Sequence, residues 1–380
     1  MKRREFMAST AAALTGAKLA LAEAVGKRRY RGAVIGHTGR GGYGHGWDTV
    51  FNHIDSIDLV AVADPDDEGR KEALARTGAP KGYRDYREML EKEQPQIVAI
   101  GPRWLDQRLQ MVTAAARAGA HIMLEKPFAQ NLVEADAMLK AIEKNGVKVQ
   151  VGLVTATLPM TKRVLQMIRE GEIGVLQEIR TRGKEDRRAG GEDLIVLGSH
   201  LMHLIRMFGG DPEWVFAHVT GDNHELDRSH VHEASEFLGP IAGDQVAAMF
   251  SLGQGVHAYF GSKANDVQSG VRFGMYFHGS KGVIYMPTIG DVLILRSPDW
   301  HSGSWETIEP AAGEQVSNHD LATLMVADLV RAIEEDREPA VSPRDGRWTI
   351  EMILSIYQSQ KTGARVNFPL ADRRHPLENL

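Results

Sequence analysis

The sequence predicts an α/β protein that begins with a doubly wound parallel sheet and continues into a second domain. Three observations predict it. A glycine-rich turn follows a short apolar strand, strands and helices then alternate as far as residue 153, and a run of further strands is followed by two helices. Regular alternation of strand and helix is typical of parallel sheets with helices on both faces.

Length and composition set the class of protein. With 380 residues, 43% of them hydrophobic and 25% charged, the chain is long enough for two domains with separate cores. The net charge of −5 and the lack of a basic run argue against a nucleic-acid partner. The absence of cysteine excludes disulfides and thiolate chemistry. No stretch is long and apolar enough for a membrane span, so small molecules are the expected partners.

Residues 1–24 resemble a twin-arginine signal peptide. Arg3 and Arg4 precede a small-residue stretch at 8–21, and residues 20–22 offer a small-x-small cleavage site. This predicts export to the periplasm; the alternative is a basic terminus before a short helix in a cytoplasmic protein.

The first strand covers residues 31–36 and leads into the glycine-rich turn 37–44. Glycines allow the backbone to approach a pyrophosphate closely, and a helix beginning after the turn would offer free N–H groups. The usual Gly-x-Gly-x-x-Gly spacing is only approximated, so a plain flexible loop stays open as an alternative. The candidate cofactor-binding residues of this turn are Gly36, Thr38, Gly39, Arg40, Gly41 and Gly42.

The second strand, residues 57–63, ends in Asp64 and Pro65. A carboxylate at this strand end accepts hydrogen bonds from the ribose hydroxyls and repels a 2′-phosphate, which favours NAD over NADP. Arg40 and Arg70 leave NADP open, since an arginine can neutralise that phosphate. Asp64 can also be a turn former before Pro65.

The alternation continues to the end of the first domain, for which we predict the bounds 29–153. Lys126 follows the predicted fifth strand, at the sheet edge where ligands bind, and Pro127 favours an extended backbone at Lys126. A solvated loop lysine is the alternative. The predicted elements are helices at 69–77, 87–92, 105–118 and 132–145, and strands at 97–100, 121–124 and 148–153.

Residues 154–370 form the predicted second domain. The segment 221–244 is too long for a simple connector and either lines the substrate cleft or is a mobile surface loop. The predicted strands are 214–220, 245–252, 255–261, 271–279, 282–286 and 292–296, followed by helices at 319–335 and 347–362.

The glycine turn, Asp64-Pro65, Pro102 and the run Glu125-Lys126-Pro127 occur in an order that resembles the glucose-fructose oxidoreductase, inositol dehydrogenase and MocA family. The match extends to residues 171–174, 338–339 and 345–347. The resemblance implies a Rossmann domain that binds NAD or NADP and an α+β domain with a large, mainly antiparallel sheet. That sheet often forms the interface of a homodimer or homotetramer. Pro102, Glu125 and Lys126 join the candidate cofactor-binding residues on the same ground.

The resemblance implies that Lys126 binds the reacting hydroxyl and assists its deprotonation. His200 matches the family's histidine on a pocket-lining helix, but Val196 stands where an aspartate is expected and His203 replaces another. The candidate catalytic residues are therefore Lys126 and His200, with His203 and with Asp193, which can replace the missing acid, as Glu192 also can.

Two pairs of histidines keep a metal site as an alternative, although we predict that the protein binds no metal. His200 and His203 lie one helical turn apart near Glu192 and Asp193, and His230 and His232 form a second pair. The leading hypothesis is an NAD(P)-dependent oxidoreductase acting on a secondary hydroxyl of a sugar, polyol or glycoside. Its cofactor is expected to be tightly bound, because no free nicotinamide pool is expected outside the cytoplasm. The alternatives are redox-neutral glycoside cleavage through a transient keto-sugar, and a sugar or NAD sensor without activity.

Overall fold

The computed structural model describes residues 28–263, 272–288, 294–297, 304–309 and 318–380, and the predicted signal segment 1–24 lies outside them. The described residues divide into two compact units. The first contains residues 28–125, 138–158 and 318–343, and the second contains 126–137, the described part of 159–309, and 344–380.

The first unit is built on a six-stranded parallel sheet, which confirms the predicted Rossmann fold. Its strands lie in the order β3-β2-β1-β4-β5-β6, the order typical of dinucleotide-binding sheets. They are β1 (Tyr30–Ile35), β2 (Ile57–Ala63), β3 (Gly82–Tyr83), β4 (Ile97–Ile100), β5 (His121–Leu124) and β6 (Val149–Val151).

Helices connect these strands, and each of the first two begins at an aspartate. Asp66 accepts a hydrogen bond from Gly69 N–H at 2.7 Å, and Asp85 accepts one from Arg87 N–H at 2.8 Å, so both act as N-caps. The helices of this unit are Asp67–Thr77, Tyr86–Glu93, Arg108–Arg117, the part of Leu132–Asn145 from Met138 onward, and Asn318–Glu334.

One part of the prediction is wrong: no helix follows the glycine-rich turn directly. Residues 37–49 form successive turns, and only a 3₁₀ turn, Val50–His53, follows them in this described stretch. Gly39, Gly41 and Gly44 all have φ near or above +60°, a left-handed conformation that interrupts a right-handed helix. The turn therefore has no helix N-terminus with which to bind an anion.

The two units are discontinuous in sequence, whereas the prediction divided the chain once, at residue 153. Val151 N–H donates to Val341 O at 3.0 Å, and the helix Asn318–Glu334 packs beside β6, which ties that late segment to the first unit. Asp136 is bound by Arg347 and Arg373, both at 2.8 Å, which ties residues 126–137 to the second unit.

The second unit contains a ten-stranded sheet that is antiparallel except between β7 and β13, as predicted for the family. β7 was not predicted, because charged and polar residues hide its alternation. The ten strands of this sheet are β7 (Leu176–Arg182), β8 (Trp214–Gly221), β9 (His224–Glu225), β12 (Gln245–Ser251), β13 (His257–Lys263), β14 (Gly274–Gly279), β15 (Val283–Pro287), β16 (Ile294–Ser297), β17 (Glu306–Ile308) and β18 (Val366–Asn367). A separate two-stranded sheet is formed by β10 (Val231–Glu233) and β11 (Pro240–Ala242).

The helices of the second unit include two that carry candidate site residues, Gly191–Val196 and Gly198–Gly209; the others are Pro159–Arg169, which was not predicted, and Pro343–Thr362. The long segment 221–244 is ordered as a small hairpin, in which β10 pairs with β11. Among the described residues, no helix combines the length and the apolar character needed to cross a bilayer.

Candidate functional site

The glycine-rich turn brings the backbone close to its own neighbours on one side and leaves it open on the other. A Cβ on Gly36 would lie 2.1 Å from the ring of Tyr43, and one on Gly41 would lie 2.5 Å from the Arg103 nitrogen, so neither position accepts a side chain without rearrangement. A Cβ on Gly39 or Gly42 would meet nothing within 4 Å. The turn thus presents bare backbone to open space, as close approach of a pyrophosphate requires.

Asp64 is fully buried and fixes the shape of this turn. Its carboxylate accepts hydrogen bonds from Thr38 N–H at 3.0 Å, from the Thr38 hydroxyl at 2.8 Å and from Asp66 N–H at 3.0 Å. Thr38, which stands where a glycine is usual, therefore ties the turn to the end of β2. Ribose binding by Asp64 stays a prediction, since both oxygens already have donors within the protein.

A cleft of about 260 Å³ lies beside Asp64, at the carboxyl ends of β1 and β2. The position is where a doubly wound sheet holds its nucleotide. Its apolar surfaces suit an adenine ring, and its polar groups suit a ribose. The lining residues include Gly36, Ala63, Asp64, Pro65, Arg84, Asp85, Tyr86, Arg87 and Met111. These residues fit the adenosine half of NAD.

The two arginines that left NADP open are both engaged elsewhere. Arg40 pairs with Asp106 and lies over the Trp104 ring at 5.5 Å. Arg70 donates to the Asp64 backbone carbonyl at 2.7 Å and to Asp67 at 2.7 Å. Each guanidinium therefore already has an oxygen partner within the first unit.

Glu125 is a structural brace for the segment that follows the glycine turn. Its buried carboxylate accepts from His45 N–H at 3.2 Å, lies 3.0 Å from His45 Nδ1, and accepts from the Trp47 indole N–H. Arg108 donates to the Glu125 backbone carbonyl and, at 2.6 Å, to that of Pro102. Glu125 and Pro102 thus position the loops at the ends of β4 and β5.

Lys126 is buried in the second unit, with 5% of its surface exposed, and its ammonium group is held by a backbone carbonyl. Nζ donates to Val196 O at 3.1 Å. The helix Gly191–Val196 ends there, and His200 N–H donates to Leu197 O instead of to Val196 O, its partner in a continuous helix. The break at Leu197 releases the Val196 carbonyl from the His200 N–H, and this carbonyl accepts from Lys126 and, at 3.3 Å, from the Ser199 hydroxyl.

This contact bears on Val196, which stands where an aspartate is expected in the family. The sequence suggested that valine removes a partner of Lys126, but the backbone of the same residue supplies an acceptor. Only the oxygen of the peptide group is needed, so the side chain at 196 can be apolar and buried. The amine is held in one orientation whether or not it carries a third proton, since either form has an N–H to donate.

His200 and His203 lie on the helix Gly198–Gly209 and are both buried, at 6% and 5% exposure. Burial lowers the pKa of His203 to about 4, so its imidazole is neutral near pH 7. Within the described part of the chain its Nδ1 has no hydrogen-bond partner. Pairing of His200 with Lys126 stays a prediction.

Asp193 is committed to holding the backbone together. Its carboxylate accepts from the Ser262 hydroxyl at 2.6 Å and from the N–H groups of Glu185 at 3.1 Å and Lys184 at 3.3 Å. It is fully buried, and burial raises its pKa. These bonds give Asp193 a structural role, and its proposed use as a substitute for the missing acid stays a prediction.

No group of three or more histidine or acidic side chains suited to a metal ion occurs among the residues that the structure describes. His230 and His232 do lie together, because His232 Nδ1 is 3.1 Å from the His230 carbonyl, and both line a second cleft, of about 360 Å³, with Glu192. Glu192 accepts a hydrogen bond from Ser235.

Sequence reasoning missed the contacts that connect these residues. His45 and Trp47 follow the glycine turn but carry no nucleotide-binding signature, and the acceptor for Lys126 is a backbone atom 70 residues away. The one available signal was Leu197-Gly198, an interruption in an otherwise helical pattern.

Two family models match the chain. One, described as an oxidoreductase family with an NAD-binding Rossmann fold, matches residues 30–153. The other, described as the GFO/IDH/MocA C-terminal domain, matches residues 161–285.

Two curated relatives are similar over most of their length. The D-apiose dehydrogenase of Paraburkholderia graminis is 26% identical over 375 residues, 92% of each chain. The D-xylose 1-dehydrogenase (NADP(+)) 2 of Haloferax volcanii is 28% identical, over 79% of this chain and 89% of the relative. Among solved structures, a levoglucosan dehydrogenase in complex with NADH and levoglucosan superposes with a TM-score of 0.75 at 19% identity, over 90% of this chain and all of the other.

Proposed function

The chain belongs to the glucose-fructose oxidoreductase, inositol dehydrogenase and MocA family of oxidoreductases, and from this premise we propose that it oxidises a secondary hydroxyl of a sugar, polyol or glycoside with NAD. The observation that carries the proposal is the buried Lys126 amine, held at 3.1 Å by the Val196 carbonyl. The names of the relatives support the substrate class, since they are dehydrogenases of the sugars apiose and xylose.

The mechanism follows from the chemistry of a buried, oriented amine. NAD, when bound, supplies a nicotinamide carbon that accepts hydride. One N–H of Lys126 stays with the Val196 carbonyl, and the neutral amine offers its lone pair to the substrate hydroxyl proton. The carbonyl, at the end of the helix Gly191–Val196, stabilises the ammonium that forms when that proton arrives. In the reverse direction the ammonium returns the proton to the substrate oxygen.

The neighbouring histidines take different parts in this proposal. We assign to His200, four residues after Val196, the positioning of the substrate oxygen beside the amine. His203 is neutral near pH 7 because burial lowers its pKa, so it adds no charge to the site. Its buried imidazole maintains the packing of the helix Gly198–Gly209.

The experiment that tests the function compares Lys126→Met with Lys140→Met, in which an exposed lysine of the first unit is changed. NADH formation is followed over a panel of pentoses, hexoses, inositols and glycosides. Loss of a general acid–base group lowers kcat by roughly 10²–10⁴-fold, so we expect this loss in Lys126→Met and none in Lys140→Met. Equal turnover by the two variants on every accepted sugar would refute the assignment.

We also propose that the cofactor stays bound between turnovers. The bonds from Glu125 to His45 and Trp47 support this, because a turn that is already ordered loses less entropy on binding. Denaturing the freshly purified protein and identifying the released nucleotide tests it. Recovery of NAD in about one equivalent supports retention, and a nucleotide-free protein contradicts it.

Export is a related proposal, based on the pattern of residues 1–24. A cofactor that stays bound suits a pathway that carries folded proteins. Cell fractionation of the wild type beside a variant with Arg3 and Arg4 replaced by lysine tests it. We expect the wild type in the periplasm and the variant in the cytoplasm; cytoplasmic wild type would contradict export.

We propose that the second unit pairs with a second copy of the chain through one face of its sheet. Phe216, Tyr276 and Trp305 are 40–47% exposed, and the Tyr276 ring lies 4.5 Å from that of Tyr285. A cluster of exposed aromatic side chains on one face is typical of interfaces. Tyr276→Glu should shift the mass in solution towards the monomer, as measured by light scattering; an unchanged mass would refute this interface.

A further inference from the structure

The second unit contains a cleft of about 360 Å³ that the proposed mechanism does not use. We call it the hairpin pocket. It is enclosed by the loop before the helix Gly191–Val196, by the end of β8, and by the β10–β11 hairpin. Its volume lies at the lower end of the range for small-molecule sites.

The pocket is held in shape by close backbone packing. A Cβ on Gly221 would lie 2.1 Å from the His230 ring, so the ring rests directly on the peptide backbone. Asp227 caps the turn that carries His230, accepting from Ser229 N–H at 2.8 Å. Gly191 N–H donates to Gly243 O at 2.9 Å, which joins the start of the helix to the hairpin side. The wall is thus fixed before any ligand binds.

Both hydrogen-bond donors and hydrogen-bond acceptors line this wall. Arg187 is exposed and has no ion-pair or hydrogen-bond partner among the described residues, so its five N–H groups are available. The Asp244 Oδ1 atom is buried and has no partner within the described residues. Glu192 and Asp222 add two more carboxylates.

His232 adds an acceptor. Its Nδ1 is 3.1 Å from the His230 carbonyl, which accepts only, so the neutral ring carries its hydrogen on Nδ1 and leaves the Nε2 lone pair free. A sugar hydroxyl both donates and accepts, and a ring with several hydroxyls matches such a mixed wall. A dianion does not match it, because Asp222, Asp244 and Glu192 outnumber the cationic side chains of Arg187 and Arg188.

One short helix connects the pocket with the acceptor of Lys126. Glu192 lines the pocket, and Val196, whose carbonyl holds Lys126 Nζ, follows four residues later. Four residues of α-helix rise about 6 Å, roughly one turn. The helix Gly191–Val196 therefore carries both a carboxylate of the pocket and the carbonyl that holds the amine.

We propose that the hairpin pocket binds a second, polyhydroxylated ring, joined by a glycosidic bond to the ring on which Lys126 acts. The substrate of this chain is then a glycoside of at least two sugar rings. This inference rests on the proposed function, because it needs Lys126 to act on the first ring. Arg187 and Asp244 are the specificity-determining residues of the second.

The test uses the full chain, with NAD, and the variants Arg187→Gln and Asp244→Asn. The matched control is Arg228→Gln, an exposed arginine of the same unit that does not line the pocket. The probes are glucose and xylose on one side and cellobiose, maltose, gentiobiose and xylobiose on the other. Their affinities are measured by calorimetry, and KM and kcat wherever turnover occurs.

We expect at least one disaccharide to bind roughly tenfold more tightly than either monosaccharide, and the two variants to weaken that disaccharide roughly ten- to hundredfold. The same two variants should weaken the monosaccharides much less, and Arg228→Gln should bind both classes of sugar as the wild type does. Disaccharides that bind no better than monosaccharides, or variants that weaken both classes equally, would overturn the inference. NAD binding and the loss of turnover in Lys126→Met are measured on the same samples, so failure of the proposed function is recognised separately.

Discussion

Replacing Glu125 with glutamine tests whether the brace behind the glycine turn prepares the first unit for NAD. Trp47 and the His45 amide both donate to Oε2 of Glu125. Glutamine keeps one acceptor oxygen and replaces the other with an NH₂ group that cannot accept. Both donors then meet a neutral amide oxygen in place of a carboxylate, which weakens the two bonds together by about 1–3 kcal/mol.

The weaker bonds make residues 45–47, directly after the glycine turn, less ordered. If binding must restore the order, the Kd of NAD rises by roughly ten- to hundredfold. Calorimetric titration of nucleotide-free Glu125→Gln with NAD measures the change, and exposed Glu91→Gln in the same unit serves as the control. At saturating NAD, kcat should stay within about threefold of the wild type, because Glu125 bonds to neither substrate nor Lys126 in this account.

An unchanged Kd for NAD in a folded Glu125→Gln protein would refute the reasoning. So would a Kd that rises equally in Glu91→Gln, since the effect would then be one of general charge. Circular dichroism and a thermal scan of both variants separate a loss of binding from a loss of fold.

Two further predictions concern the second unit. Asp193→Ala leaves the Ser262 hydroxyl and two backbone N–H groups without their acceptor. We therefore expect the free energy of unfolding by urea to fall by about 2–4 kcal/mol, with kcat at low temperature nearly unchanged. A large fall in kcat without loss of stability would instead support a catalytic Asp193. The second prediction concerns His203, whose pKa is about 4 in the folded protein and about 6.5 in the unfolded chain. Between these two pH values the unfolded state takes up a proton that the folded state does not. The stability present above pH 6.5 is therefore lost progressively as the pH falls towards 4. His203→Gln should flatten this acid slope by up to about 1.4 kcal/mol per pH unit in denaturant titrations, and an unaltered slope would exclude His203 as its source.

Much of the first unit could be predicted because its strands are short apolar runs bounded by turn residues. The bounds predicted for β2, β4 and β5, at 57–63, 97–100 and 121–124, agree with the structure. The helix after the glycine turn was wrong because five glycines between 39 and 46 take positive φ, which their spacing does not reveal.

The second unit was harder to predict, because its sheet buries only one face. β7 reads Leu-Gln-Glu-Ile-Arg-Thr-Arg, in which only Ile179 and Thr181 are buried, so little apolar alternation is visible. The hairpin within 221–244 was also missed, because its strands are short and polar.

The candidate site could be predicted as a set of residues but not as a set of bonds. Lys126 stands at a recognisable strand end, whereas its acceptor is a backbone carbonyl freed by a helix break. Asp193 looked like a spare acid in the sequence, and only its three donors reveal a structural carboxylate. Tertiary hydrogen bonds to backbone atoms leave no trace in residue types.

The most direct test of the central claim, that the Lys126 amine takes the substrate proton, is the single-turnover rate of NADH formation in Lys126→Met with NAD bound and sugar in excess. The account predicts a rate lower by roughly 10²–10⁴-fold, an unchanged Kd for NAD, and partial recovery of the rate when a small primary amine is added. A rate within about threefold of the wild type would contradict it.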